Sequence, residues 1–503
     1  MSKLRLHGSS SGYTEISPVA ASGNNTLTLP NDGTIISKDS SGAVGVTSVQ
    51  STNANFSGTT RITSGISTTL NITTSRINTG IVTTFTATNS TFAGDIDPSA
   101  NGVYDIGASN LKFKQIFVNN IDASAGIVTA KTFVPTEGQS SHRNIMINGA
   151  MNVAQRGTSD TTDVQGFTTV DRWQITWGGA NAIIETHQEQ LSSSDTGPWA
   201  LGFRNAYKLV NGNQSSGAQA GDYVHIRYGM ESQDLSSSGW NYTSSSDYVT
   251  LSFWVKSSVA QNFYGYFRTI DGTQRMYPFE TGSLSANTWT KVIKTIPGDS
   301  NLQFDNNNDL GMHIMLMPFL GTDFTGSPTL NTWANNNDSA RVPNMTSTWW
   351  TTDDATFHLT GVQLERGPVS TPFEHRNFGE ELARCQRYYY LHGTGSSTSY
   401  GLQGTGMMGL NGSTVTGKII MWFPVPMRTK PSATWHNANE FRNDTGLAAN
   451  DSTFGAIWAD ATSVNSAWVD FPGGSGSNFS ESKACMVYSR SGSNAKMAFS
   501  AEL

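Results

Sequence analysis

All 13 tryptophans fall between Trp173 and Trp468, and the first 141 residues hold none. Large aromatic side chains dominate core burial, so a self-sufficient hydrophobic core is confined to the residues after 141. Residues 1–141 are Ser, Thr, Gly and Asn with isolated Ile and Val, too little apolar surface for a lone chain to offset its ordering entropy. Yet short segments recur. Gly65-Ile-Ser-Thr-Thr69, Gly80-Ile-Val-Thr-Thr84 and Gly126-Ile-Val-Thr-Ala130 share one pattern, and Thr52-Asn-Ala-Asn-Phe-Ser-Gly58 returns as Thr88-Asn-Ser-Thr-Phe-Ala-Gly94. Repeated β-branched segments punctuated by Gly imply strands and turns. One such strand has no face wide enough for a core and leaves its edges bare, so several chains winding together is the economical solution. The expectation is a fibrous, intertwined β shaft over 51–141 that orders only as an oligomer, preceded by an attachment region over 1–50; a flexible Ser/Thr linker is the alternative.

After Asn144 the strand signal strengthens. Tyr248-Val-Thr-Leu-Ser-Phe-Trp-Val-Lys256 alternates, with Val249, Leu251, Phe253 and Val255 on one face, the period of a half-buried strand. Phe263–Arg268, Trp289–Ile296, Leu310–Met317 and Ala355–Leu364 follow with polar turns between them. Regular short strands over 142–376 predict a two-sheet antiparallel sandwich. One connecting helix is expected over 377–392: Asn377 caps it, Glu380 stands at N3, and Phe378, Leu382, Cys385 and Tyr389 form an apolar stripe. Gly-rich turns and short apolar segments then predict a small C-terminal β tip domain over 393–503.

Charge excludes several classes. With 31 Lys+Arg against 38 Asp+Glu the net charge is −7, without blocks, so the electrostatic footprint of a nucleic-acid partner is missing. The start, Met1–Gly12, has no apolar stretch of the kind that directs secretion, and no run approaches the 18 apolar residues of a spanning helix; the expectation is a chain made in the cytoplasm without membrane insertion, and sequons such as Asn71-Ile-Thr without glycan. Cys385 and Cys485 lack metal-ligand or framework spacing, which leaves at most one bridge between them. Gly-x-Ser-x-Gly, Walker and His-Glu-x-x-His patterns do not occur, and the neighbouring carboxylates Asp353/Asp354 and Glu380/Glu381 are not a hydrolytic pair across a cleft. No enzyme, cofactor or metal is predicted. Asp305-Asn-Asn-Asn-Asp309 begins like a calcium loop, but Leu310 and Leu316 stand where an EF-hand needs Gly and Glu; a structural calcium there and a solvated Asn-rich turn remain alternatives. His313 and His358, within apolar strands, read as satisfied core histidines.

Three stretches resemble phage tail-fibre and related virion proteins, particularly of marine cyanophages. They are Leu4–Ile16 with Asn25–Pro30 and Gly33–Ile36; Gly102–Gly107 with Phe113–Asn119 and Gly126–Thr129; and Asn144-Ile-Met-Ile-Asn-Gly149 with Ala154–Gly157, Asp171-Arg-Trp173, Gly361–Gly367, Thr371–Arg376 and Gly379–Tyr389. Within the third, Val249–Lys256, Trp289–Ile296 and Gly361–Glu365 also look like jelly-roll carbohydrate-binding modules. The resemblance implies a homotrimeric virion fibre. It would be attached by its N terminus to a phage tail or capsid protein and would bind a host surface polysaccharide or lipopolysaccharide through its C-terminal domains. A tailspike-like depolymerase and a purely structural head fibre or whisker are the alternatives.

Sugar rings present flat C–H faces, so a glycan site needs aromatic planes beside amides and carboxylates. Loops holding Trp199, Trp240 with Tyr242, Trp333, and Trp349 with Trp350 supply that mixture and are the candidate glycan-binding residues, against the reading that each Trp packs under its own loop. A platform of Trp254, Tyr264 and Tyr266 is a second candidate, and Trp435, Trp458 and Trp468 in the tip a third.

Overall fold

The computed structural model describes residues 4–7, 13–16, 142–393, 402–411, 414–435, 441–444, 449–452, 456–457, 462–472, 484–489 and 496–503. The chain divides into two compact units, Met1–Asp122 and Ala123–Leu503. In the first, β1 (Leu4–His7) and β2 (Tyr13–Ile16) pair as an antiparallel hairpin. The rest of the expected attachment region and the whole shaft, with its Gly-Ile-x-Thr repeats, lie outside the described residues.

The second unit contains the expected sandwich. One six-stranded sheet runs β14 (Ala334–Asn335), β10 (Arg275–Ser283), β9 (Asn262–Thr269), β12 (Leu310–Leu320), β7 (Tyr223–Glu231), β4 (Trp173–Gly178). The other runs β11 (Thr290–Pro297), β8 (Tyr248–Ser257), β16 (Thr356–Arg366), β6 (Asn205–Asn211), β5 (Ile184–Gln190), β3 (Ser159–Asp160). All pairings within both sheets are antiparallel.

The period-2 pattern decides which side chains meet between the sheets. Val249, Leu251, Phe253 and Val255 of β8 are buried against Phe263 and Phe267 of β9 and Ile314 and Leu316 of β12 in one continuous core. Each such side chain contributes about 1.5–3 kcal/mol on full burial. The central strand β12 is covered on both faces, which explains its unbroken apolar run: Met312, Ile314 and Leu316 point inward, while Met315 and Met317 lie under the 321–345 segment with Leu320 and Val342. That segment is pinned by a short parallel pair, β13 (Thr325–Gly326) with β15 (Val342–Pro343). Pro318 has no N–H to give β7, and the register shifts between Leu316 and Phe319 around it.

The motif Asn144–Gly149 lies along β16. Ile145 N–H bonds Leu364 O at 2.9 Å, Val362 N–H bonds Gly149 O at 2.9 Å, and a Cβ on Gly149 would sit 2.0 Å from Val362 O. Asn144 holds Val362 O and Leu364 N, while Asn148 holds Val153 and Asp171 O. Residues 144–149, 153, 171, 362 and 364 therefore build one structural knot.

The helix α3 is Phe378–Gln386, shorter than expected because Arg387 and Tyr388 turn into β17 (Tyr389–Gly393). Asn377 Oδ1 accepts from Glu380 N at 2.8 Å as anticipated, but the Glu380 carboxylate turns to Arg384 at 3.0 Å. The apolar stripe is corrected too: Phe378 is 59% exposed, Leu382 is half-buried, and Glu381 takes a buried place. Two further helical turns, α1 (Ser232–Ser236) and α2 (Thr348–Thr351), sit in loops. Cys385 is buried and free, so the Cys385–Cys485 bridge is not formed.

Beyond α3 the chain is again β. β17, Lys496–Ser500 and Ser432–Trp435 make a three-stranded sheet, and Leu402–Asn411, Thr414–Trp422 and Ser466–Pro472 belong to a seven-stranded one. Ile419, Met421, Val469, Met497 and Phe499 share a second core. The Arg428 guanidinium joins it to the sandwich, donating to Asn308 O, Ala501 O and Glu502 O at 2.7–2.9 Å.

Candidate functional site

Four of the six candidate aromatics are core residues. Trp349 and Trp350 are fully buried because the single turn α2 aims both indoles inward; their N–H groups donate to Thr356 O and Gly217 O, and Trp350 stacks on Phe319 with centroids 5.3 Å apart. Trp240 packs on Phe304 and donates to Asp247 O, and Trp333 packs on Tyr277 and donates to Pro297 O. Closed on both faces and satisfied at nitrogen, none of the four has a plane to offer a sugar. Trp199 and Tyr242 are half-buried but far apart in the packing: Trp199 lies on the β8/β16 sheet under the Arg204 guanidinium at 3.8 Å, Tyr242 against Phe304 of the main core. The Trp254–Tyr264–Tyr266 platform does not exist, since Trp254 belongs to β8 and the tyrosines to β9, in opposite sheets.

Trp254 is covered in turn by the 191–204 loop: a Cβ on Gly197 would meet its ring at 2.7 Å. Beneath that loop Asp195 accepts from Lys256 Nζ and Trp289 Nε1, both at 2.9 Å. Burial opposes ionisation of Asp195, yet those bonds and Ser192 N–H hold it at about 2. His358, facing out of the core, bonds Glu189 at 2.7 Å. This sheet face is a closed polar lid contact.

The outer face of the other sheet is different. The register sets Arg227, Met315 and Tyr266 in one row across β7, β12 and β9, and Gly229, His313 and Arg268 in the next. Met315 and His313 form a buried floor. Around it, Arg227 Nε bonds Gln174 Oε1 at 2.5 Å, Arg268 bonds Gln274 Oε1 at 2.7 Å, and Arg341 reaches in from the 321–345 segment with its guanidinium 4.9 Å from the Phe324 ring. Asp338 is the carboxylate that Arg268 (3.6 Å) and Arg341 (3.2 Å) share. His225 and His313 are pushed down to about 3 by burial and by these guanidiniums. Tyr264 and Tyr223 flank the floor half-exposed, Tyr264 beside Glu280. Sequence reasoning passed over this set; the signal was there in His225-Ile-Arg227, His313 and Arg268 as the outward positions of strands whose inward positions are apolar.

Two other places carry charged or exposed aromatic groups. A cavity of about 200 Å³ is lined by Arg143, Asp234, Arg366 and Arg384 among others. Burial and nearby Glu231 push Asp234 up to about 6, but Glu231 is held by Arg387 at 2.8 Å and Tyr388 at 2.5 Å, so the cavity lacks the two free carboxyls that glycoside cleavage uses. On the C-terminal sheet, Ile420 and Trp422 point outward at 54% and 73% exposure, with Trp468 opposite Ile420. Trp458 and the Trp435 side chain lie outside the described residues.

No group of three or more His, Cys, Asp or Glu that could hold a metal occurs among the described residues. The Asp305–Asp309 turn is a latch: Asn308 donates its side-chain amide to Arg428 O, and Asp309 is 3.8 Å from the Arg428 guanidinium.

No family model and no curated protein matches the sequence. Among solved structures, the chain is similar to the enzymatically active domain of tailspike protein 4 of bacteriophage CBA120 (10% identity, 44% of this chain, 21% of that one, TM-score 0.24). It is also similar to the family 11 carbohydrate-binding module of a Clostridium thermocellum cellulosomal cellulase (12%, 41%, 94%, 0.19) and to tandem carbohydrate-binding modules from Paenibacillus barcinonensis (9%, 69%, 98%, 0.21). The chain spans about a fifth of the tailspike's length. At these scores the sandwich rests on its own sheet order and register.

Proposed function

We propose that this chain binds a carbohydrate, without cleaving it, as the adhesive part of a homotrimeric phage fibre. The observation that carries the binding reading is the margin of the 321–345 segment on the outer face of the β9/β12/β7 sheet, where half-exposed Tyr223 and Tyr264 stand near the Arg227, Arg268 and Arg341 guanidiniums and their amide partners, the mixture that sugar hydroxyls and C–H faces require. The fibre reading is supported by the repeats in residues 51–141 and the virion-like motifs, with the N-terminal region gripping a tail or capsid protein and the fibre as the site of action on the particle. Asp171, the other carboxylate pushed up to about 6 by burial, supports binding over hydrolysis, because it is enclosed and bonded to Gln155.

The test is retention of the full chain on immobilised host surface polysaccharide, with the soluble phase assayed for released oligosaccharide. Retention without release is expected, weakened about fivefold by Tyr264→Ala if one stacking plane is worth about 1 kcal/mol. Released oligosaccharide would establish a depolymerase instead. A loss confined to Trp422→Ala would move the site to the C-terminal sheet, and immunogold labelling of whole particles separates a tail fibre from a head fibre.

A further inference from the structure

The outer face of the β9/β12/β7 sheet carries more charge than a neutral sugar needs. Resting on the carbohydrate reading above, we infer that this face selects an acidic saccharide, one bearing carboxylate, sulfate or phosphate groups, with Arg227, Arg268 and Arg341 as the anion contacts and His313 as a floor contact.

Two of the three guanidiniums, Arg268 and Arg341, share one carboxylate there, and among the described residues Arg227 pairs with none. Asp338 is 54% exposed at its side chain, and a solvent-exposed ion pair contributes only about 0–1 kcal/mol, so a ligand anion displaces it at little cost. Arg227 Nε donates to the neutral amide oxygen of Gln174 and pairs with no carboxylate among the described residues, which leaves the rest of its planar fork available to a bidentate acceptor. The second, independent observation is His313. It is 7% exposed, lies on the outward side of β12, and its Nδ1 is buried without a partner. A buried polar atom left unmatched is costly. In one tautomer Nδ1 donates to a carboxylate and in the other it accepts from a hydroxyl; a sugar acid supplies both. Glu280, the nearer carboxylate at the Tyr264 end, is held by Asn262 at 2.7 Å. Against a dense polyphosphate such as DNA, the chain's net charge of −7 acts at long range, whereas a saccharide with spaced charges loses less to it.

The experiment uses the full chain and three probes: polygalacturonate, the same polymer with its carboxyls reduced to alcohols, and single-stranded DNA. At about 50 mM salt the acidic polymer is expected to bind at least about tenfold tighter than its reduced form, with the gap narrowing as screening rises. Arg227→Gln and Arg341→Gln should each narrow that gap several-fold, while Arg204→Gln in the loop over the opposite sheet does not; unfolding midpoints confirm that each variant is folded. Equal affinity for the two polymers, with Tyr264→Ala weakening both, would overturn the acidic assignment and leave the carbohydrate reading standing. DNA bound as tightly as polygalacturonate would overturn the saccharide class. Failure of the chain to bind either polymer or the host polysaccharide would overturn both readings together.

Discussion

Replacing Glu502 by Gln tests the buried network that joins the last residues to the sandwich. Its carboxylate, 6% exposed, pairs with Arg172 at 2.6 Å and Arg156 at 3.1 Å. Arg172 is 1% exposed and would be left charged inside the protein. Removing one member of a buried pair costs about 3–5 kcal/mol. Two features reduce that here: the guanidinium keeps Gly229 O at 2.7 Å, and it stacks on the Tyr388 ring at 3.4 Å, an attraction of about 2 kcal/mol when desolvated. The Gln side chain also retains one hydrogen bond. The expected loss is therefore about 2–3 kcal/mol, or roughly 3–4 °C in the midpoint of the Ala123–Leu503 unit. Thermal and denaturant unfolding of the variant against the parent would measure it. Adding Arg172→Met should restore part of the loss, because the charge left unpaired is then gone and the two sites are in contact. A midpoint within a degree or two of the parent for Glu502→Gln, and additive effects in the double variant, would refute the claim that this ion pair holds the C-terminal residues in place.

Trp350→Ala should lower stability by about 3–5 kcal/mol through the cavity left beside Phe319, measured by denaturant unfolding; retained stability would mean that the indole is not the core residue described here. Along α3, Asn377→Ala should cost about 1 kcal/mol by loss of the cap, whereas Phe378→Ser, at an exposed position, should stay within about 0.5 kcal/mol. Acid should destabilise the sandwich. His225 and His313 have folded values near 3, below their ordinary 6.5, so the unfolded chain takes up protons first; their contribution is complete above pH 6.5 and is lost as pH falls toward 3. The groups facing them are Arg227 of β7, Arg268 of β9 and Arg341 of the covering segment, and melting curves from pH 7 to 4 should be flatter for His313→Gln than for the parent.

The alternation in Tyr248–Lys256 and the apolar run Leu310–Met317 were enough to announce strands, a sandwich and its inward residues, because the period of a strand is local and burial on one side leaves its mark every second position. Asn377 announced a helix start for the same reason: a cap acts within three residues. Local pattern does not say which way a loop turns. Trp240, Trp333, Trp349 and Trp350 stand in polar loops that read as binding loops, yet each indole folds back into the main core, since the gain from burying a ring is decided by what lies beneath it. Nor does it say which strands are neighbours. Arg227, Arg268, His313 and Arg341 sit on three strands and a covering segment, and Gln174 on a fourth strand. They meet only because the sheet order places β9, β12, β7 and β4 side by side and the 321–345 segment folds across them. Asn148, Asp171, Glu381 and Glu502 converge by the same route, from four distant stretches of chain. What side chains share a face is written in sequence period; what faces share a site is settled by long-range pairing, whose partners no local window contains.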